Sequence, residues 1–228
     1  MIFNLKIIIT NNKYYSMDTF YYINLEHRDD RKQFFENQAK QFNINSIRIN
    51  AILNKRGDIG CGLSHIKALK HINDISNNSS FFIVCEDDFF IYNYANFTSF
   101  KNAFDIIKNE DSWDVIVMTP RGDTVSDISN NMTTNNFKKI NNNQTATGYI
   151  IKPHMIHILI DTFKESVDGL IRNLDPNIYA IDQNWKKLQN KYNFYYYDKL
   201  FGGQLPGYSD IEKRNVNYNN RFFNQNDF

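Results

Sequence analysis

The chain has 228 residues, 42% of them hydrophobic and 22% charged, which is enough for one sizeable globular domain and excludes a disordered chain. A formal charge of +1 removes any global pull toward nucleic acid or anionic membrane, so any anion binding must be local. Two cysteines, Cys61 and Cys85, are too few for a disulfide framework and are not spaced as a metal pair, which fits a reducing, cytoplasmic compartment.

Taken in chain order, residues 1–18 form an N-terminal extension holding one candidate edge strand, Leu5 to Thr10. Its apolar run is too short to span a bilayer, and it lacks the cationic start of a secretory signal. Thr19 to Leu25 is β-branched and aromatic and predicts a strand. Asp29 or Asp30 then caps a helix running to about Phe42, and Ile47 to Ile52 is a second short strand. Asn54 to Gly62, rich in charge and glycine, predicts a loop. Leu63, Ile66, Leu69 and Ile72 at helical spacing predict a helix to Ile75. An apolar strand from Phe81 ends in Glu86, Asp87 and Asp88, and a helix covers Phe97 to Ile107. Trp113 to Met118 is a further strand, and Pro120 to Asn136 is a long polar segment without periodicity. Ala146 to Ile151 predicts a strand, Pro153 to Phe163 a helix with proline in its first turn, and Ile181 to Gln189 a short helix capped near Asp182. The main domain is thus read as 19–212, with a polar tail over 213–228. The 19 Phe and 14 Tyr against 4 Pro are read as codon bias, and Tyr149 and Tyr195 to Tyr197 as packing residues. Alternating strands and helices predict an α/β fold with a mostly parallel sheet covered by helices.

Three stretches carry candidate chemistry. Acids that end a buried strand repel one another unless a counter-charge is supplied. Strand alternation would point Glu86 and Asp88 one way and Asp87 the other, so the first two could hold Mg2+ or Mn2+ shared with a diphosphate. A solvated turn or a helix N-cap is the alternative. Arg28 and Arg31 flank the turn from strand into helix, where guanidinium and backbone N–H groups suit phosphate. Surface ion pairs with Asp29, Asp30 or Glu36 are the competing explanation. Gly57 to His65 is a glycine-punctuated approach to a helix, with Ser64 and His65 expected in its first turn. His65 is read either as a phosphate, metal or acceptor contact or as a capping or core histidine.

The succession Ile23-Asn24-Leu25 with Arg28 and Arg31, then Gly60-Cys61 with Leu63-Ser64-His65, then Glu86-Asp87-Asp88, resembles glycosyltransferase family 25. That family includes lipooligosaccharide and collagen galactosyltransferases. Gly148 to Ile151, Asp182 in Ala180-Ile181-Asp182, and Gln204 ahead of Ser209-Asp210-Ile211 extend the resemblance over residues 20 to 211. Gly62 departs from it, standing where relatives often carry a larger apolar residue.

The resemblance implies a single GT-A-like domain with a Rossmann-type, mostly parallel sheet. It further implies an inverting, metal-dependent transfer of a hexose from a UDP-sugar to a hydroxyl of a glycan or protein acceptor, as in lipopolysaccharide or other glycan biosynthesis. Asp88, with Glu86, is the implied ligand of Mn2+ or Mg2+. Asn24, Leu25, Arg28, Arg31, Ser64, His65, Glu86 and Asp87 are the implied donor-binding residues. Asp182 is the expected general base and Asp210 its substitute. No nucleic acid and no transmembrane segment are expected, and self-association into a homo-oligomer is left open. The rival readings are a catalytically silent nucleotide-sugar or glycan-binding module and a nucleotidyl or phosphoryl transferase. The second lacks a phosphate-binding glycine-rich lysine loop of the usual form.

Overall fold

The computed structural model describes residues 19–75, 79–125 and 136–218, so the expected strand at Leu5 to Thr10 lies outside the described residues. In chain order the elements begin β1 (Phe20–Asn24), α1 (Asp29–Gln41), β2 (Ser46–Asn50), α2 (Gly57–Ile75), β3 (Phe82–Glu86), β4 (Phe89–Ile91) and α3 (Tyr94–Ile107). They continue with β5 (Val115–Val117), β6 (Arg121–Val125), β7 (Phe137–Gln144), β8 (Gly148–Ile151) and α4 (Met155–Ile171). The last are α5 (Pro176–Tyr179), α6 (Ile181–Asn184), α7 (Lys186–Gln189), β9 (Phe194–Tyr197), β10 (Gly202–Gln204), β11 (Gly207–Ser209) and β12 (Arg214–Val216).

Among the described residues, eight strands form one sheet in the order β2-β1-β3-β8-β5-β9-β7-β6. β1 lies parallel to β2 and β3, and β5 parallel to β9, whereas β8 runs antiparallel to both β3 and β5 and β7 antiparallel to β9 and β6. Six of the eight strands therefore point one way, as the strand–helix alternation predicts, and the parallel run stops where β8 enters beside β3.

The central strands are buried on both faces, and their alternation sorts side chains into two cores. Tyr21, Ile23, Val84, Val117, Tyr149 and Ile151 pack toward α2 and α4. Phe20, Tyr22, Ile83, Cys85, Ile116 and Ile150 pack toward α1 and α3. The second core absorbs much of the aromatic excess: Tyr22 stacks on Phe35 at 4.3 Å, and Phe100 stacks on Phe201 at 4.4 Å with Tyr197 edge-on at 5.5 Å. Whatever biased the composition, these rings fill the interior.

The structure corrects four local expectations. The glycine-rich stretch is helical, because α2 begins at Gly57 rather than Leu63. Tertiary contact overrides the poor propensity of glycine: a Cβ on Gly62 would lie 2.8 Å from Val167 Cγ2 and 3.2 Å from Ile181 Cγ2, so only a residue without a side chain lets α2 cross α4 so closely. The segment expected to be a loop contains β6, and the polar run after it forms β7, where buried Phe137, Ile140 and Asn143 recur too sparsely to advertise a strand. α4 runs on to Ile171, past the expected end at Phe163, because Val167 and Leu170 keep its inner face apolar. The expected polar tail begins with β12, which pairs with β11 and buries Val216.

Gly62→Leu tests the helix crossing. Overpacking costs about 1–3 kcal/mol and helix propensity returns at most about 1 kcal/mol, so a lower midpoint in chemical denaturation is expected. An unchanged midpoint would show that the crossing relaxes freely.

Candidate active site

The carboxyl ends of β1, β2 and β3 open onto a cavity of about 310 Å³. Its position is the one favoured for ligands in open α/β sheets: outside the strand ends, where the parallel run breaks off. The first turns of α2 form one wall with Gly57, Cys61, Ser64 and His65. Asp87 and Asp88 form the floor with Arg31, Glu86 stands where that floor meets the α2 wall, and the β11–β12 hairpin forms the outer rim.

Strand alternation does not govern the acidic triplet. β3 ends at Glu86 and a tight turn carries Asp87 and Asp88 into β4, so the expected pairing of Glu86 with Asp88 on one face is replaced by a pairing of Asp87 with Asp88. Arg31 Nη1 donates to Asp87 Oδ1 and to Asp88 Oδ2, both at 3.0 Å. Asn24, buried at the end of β1, donates to Asp87 Oδ2 at 2.7 Å and accepts from Arg48 Nε at 2.8 Å. Gln204 Nε2 donates to Asp88 Oδ2 at 3.1 Å, and Asp88 Oδ1 is buried with no hydrogen-bond partner among the described residues. Burial, joined by the charge of Glu86, pushes Asp88 up to about 7, and burial also raises Asp87 despite Arg31. Burial disfavours the charge of Arg31, but the carboxylates of Asp88 and Asp87 outweigh it and raise its pKa as well.

Glu86 faces α2. Its Oε1 lies 3.3 Å from His65 Nε2 and 3.5 Å from Cys61 Sγ, and its Oε2 accepts from Thr147 Oγ1 at 3.3 Å. Burial opposes ionisation of Glu86, but His65, Cys61 and Arg31 outweigh it and hold the carboxyl below its usual value. Tyr149 OH sits 3.0 Å from His65 Nδ1 and fixes the ring. The loop that delivers Thr147 carries backbone strain: Thr145, β-branched, has φ of 102°, held by the hydrogen bonds its Oγ1 makes with Thr147.

The remaining expected residues divide. Leu25 lines the cavity. Ser64 also lines it, but its hydroxyl serves the scaffold, donating to Gly60 O at 2.6 Å and accepting from Ile52 N at 2.8 Å. Because α2 starts early, Ser64 and His65 lie in its second and third turns, and no helix N-terminus aims them at a ligand. Arg28 does not reach the acidic floor: it pairs with Asp30 at 2.9 Å and with Asp210 at 2.8 Å, joining α1 to the hairpin. Arg31 Nη2 donates to Tyr208 O at 2.7 Å and holds the same hairpin. Gly57 admits that rim, since a Cβ there would meet Asp210 O and Ile211 Cα at 2.8 Å. Asp182, in the first turn of α6, is half-buried; burial and then the charge of Glu86 raise its pKa, although it is not among the residues lining the cavity.

Residue-by-residue reading missed Thr147, the bond of Tyr149 to His65, and Arg48, because a threonine in a loop and a tyrosine in a strand carry no local signal. Only the order of the chain hinted at Gln204.

No curated protein matches the chain by sequence. The family model for glycosyltransferase family 25, described as an LPS biosynthesis protein, matches residues 55–185, more than half of the chain. Among solved structures, a glycosyltransferase involved in glycosylation of the major capsid of PBCV-1 is 8% identical, covering 86% of this chain and 95% of its own, with a TM-score of 0.42. A mannose-1-phosphate geranyltransferase from Thermus thermophilus is 8% identical over 81% of this chain and 75% of its own, with a TM-score of 0.38. A Drosophila β1,4-galactosyltransferase 7 in complex with manganese, UDP-Gal and xylobiose is 9% identical over 92% of this chain and 77% of its own, with a TM-score of 0.37. Likeness at this level assigns nothing to this chain.

The acidic floor makes stability depend on pH. A carboxyl that titrates near 7 when folded and near 3.8 otherwise binds its proton more tightly in the native state, so its stabilising contribution is lost as pH rises between those values. Without divalent cations, Asp88→Asn is expected to raise the thermal midpoint at pH 8, with the gain shrinking toward pH 5. A gain that grows on acidification would contradict the assignment.

Proposed function

The chain belongs to glycosyltransferase family 25 and is a glycosyltransferase, and from that premise we propose that it moves a hexose from a UDP-sugar to a hydroxyl of a glycan or protein acceptor with inversion. The observation that carries this reading is the buried Oδ1 of Asp88 at the cavity floor, beside Asp87 and the guanidinium of Arg31, with no hydrogen-bond partner among the described residues. A hard divalent cation suits that oxygen-only donor set, and Asp88 with Asp87 would hold it. When bound, Mn2+ or Mg2+ neutralises charge on the departing diphosphate.

The chain's own groups supply the rest. Arg31, within reach of the same carboxylates, adds a second positive charge where the diphosphate leaves. Leu25 and Asn24 close the end of β1 against the nucleoside, with Asn24 acting through Asp87. Asp182, its basicity raised by burial, lies behind the cavity wall, close enough to Glu86 and Cys61 to act on their charges, and would take the proton of an acceptor hydroxyl seated against that wall. The hydroxyl oxygen then bonds to the anomeric carbon from the face opposite the breaking bond to phosphate, and UDP departs. Asp210, ion-paired with Arg28 on the hairpin, serves closure of the rim rather than proton transfer. Among the described residues no helix is long and apolar enough to cross a membrane.

Two measurements check this. Incubation with a panel of UDP-sugars and Mn2+ should give thermal stabilisation by one of them, lost in Asp88→Ala; no response to any sugar nucleotide would contradict the donor assignment. Asp182→Asn should lower kcat by about 10²–10⁴-fold with little change in donor KM. Unchanged turnover would remove Asp182 from the role, and donor binding without turnover in the unmodified protein would favour a silent module.

A further inference from the structure

Beside the hard-oxygen floor, the cavity wall holds a second donor set of different chemistry. Cys61 and His65 stand four residues apart on α2 and so present their ligand atoms on one helix face. Glu86, the last residue of β3, meets them: Nε2 of His65 is 3.3 Å and Sγ of Cys61 3.5 Å from its Oε1, and one ligand atom from each residue lies within 4.8 Å of the others. Tetrahedral zinc, with bonds of about 2.0–2.3 Å, separates its ligands by about 3.3–3.8 Å, so two of these contacts already fall in that range.

We propose that Cys61, His65 and Glu86 form a binding site for a borderline-soft divalent metal, Zn2+ in the first instance, separate from the Asp88 floor. Thiolate and imidazole select Zn2+, Co2+ or Cd2+ over Mg2+ and Mn2+, which have no use for sulfur. The surroundings are those of a supported metal site. Tyr149 OH holds His65 Nδ1 at 3.0 Å, leaving Nε2 for the metal, and Thr147 Oγ1 takes Glu86 Oε2, leaving Oε1. All three ligands line the cavity, so the fourth position opens to solvent and substrate, unlike a closed four-ligand structural site. On binding, the Cys61 thiol releases its proton to solvent as the sulfur–metal bond forms, one proton per ion. A zinc ion there occupies Glu86 and sets positive charge against the acidic floor, so it opposes entry of the hard cation and acts as an inhibitor of the transferase.

The test uses reduced, tag-free protein and Co2+ as a spectroscopic stand-in for Zn2+. Titration at pH 8 should produce a near-ultraviolet thiolate-to-cobalt charge-transfer band and visible bands of tetrahedral cobalt, saturating at one equivalent and bleached by Zn2+. Cys61→Ser should lose the charge-transfer band, whereas Asp88→Asn should keep it. Should Cys61→Ser fail to fold, the unmodified chain still decides. Free zinc at about ten times its dissociation constant should slow alkylation of Cys61, followed by mass spectrometry, about tenfold. No charge-transfer band in the unmodified protein, a band that survives in folded Cys61→Ser, or alkylation indifferent to zinc would overturn the proposal.

Discussion

One guanidinium holds the floor of this site in shape. Arg31 bonds Asp87 and Asp88 with the same nitrogen and grips the backbone of Tyr208 with another. Buried ion pairs earn stability only when the remaining lone pairs are satisfied, and here they are not: one positive charge faces two carboxylates, with Glu86 close behind and Asp88 Oδ1 unpartnered. The surplus negative charge, partly relieved by proton uptake on Asp88, is the feature a divalent cation and a diphosphate would complete.

The fold makes that imbalance affordable only at this place. β1 and β3 are neighbours in register, so the residue after Ile23 and the residue after Glu86 emerge together at the sheet edge. α1 starts a few residues beyond β1 and brings Arg31 back over the same edge, while α2, drawn in by Gly62 against α4, lays Cys61 and His65 along the other side. β8, entering antiparallel beside β3, delivers Thr147 to Glu86 from the opposite direction. Four elements, β1, α1, α2 and β8, thus converge on three consecutive acids, and the hairpin of β11 and β12 closes over them through Arg28 and Arg31.

Much of this was legible in the sequence, and the failures have physical causes. β1 and β3, and the acids at the end of β3, stood out because a doubly buried strand is an unbroken apolar run and charge at its tip breaks the pattern, whereas β2 at the sheet's edge buries only Ile49. Arg31 and His65 were found as candidates but not their partners, since a partner is a fact of three dimensions. The facing of Glu86, Asp87 and Asp88 was misread because alternation was extended two residues past the point where β3 gives way to a turn. The glycines of α2 looked like a ligand loop, whereas they mark where one helix presses on another and where the rim rests on Gly57. β7 was invisible because its outward positions are lysine and asparagine and only every third or so side chain is buried. Arg28 matched its place in the family pattern, yet Asp30 and Asp210 claim it.

Crystals grown with Mn2+ and UDP, measured at a wavelength where manganese scatters anomalously, address the central claim most directly. The account requires a single anomalous peak about 2.0–2.3 Å from Asp88 Oδ1, shared with the diphosphate, with Arg31 turned from Asp88 toward phosphate oxygen. A peak away from Asp88, or UDP bound with Asp88 still paired to Arg31 and no metal beside it, would contradict it.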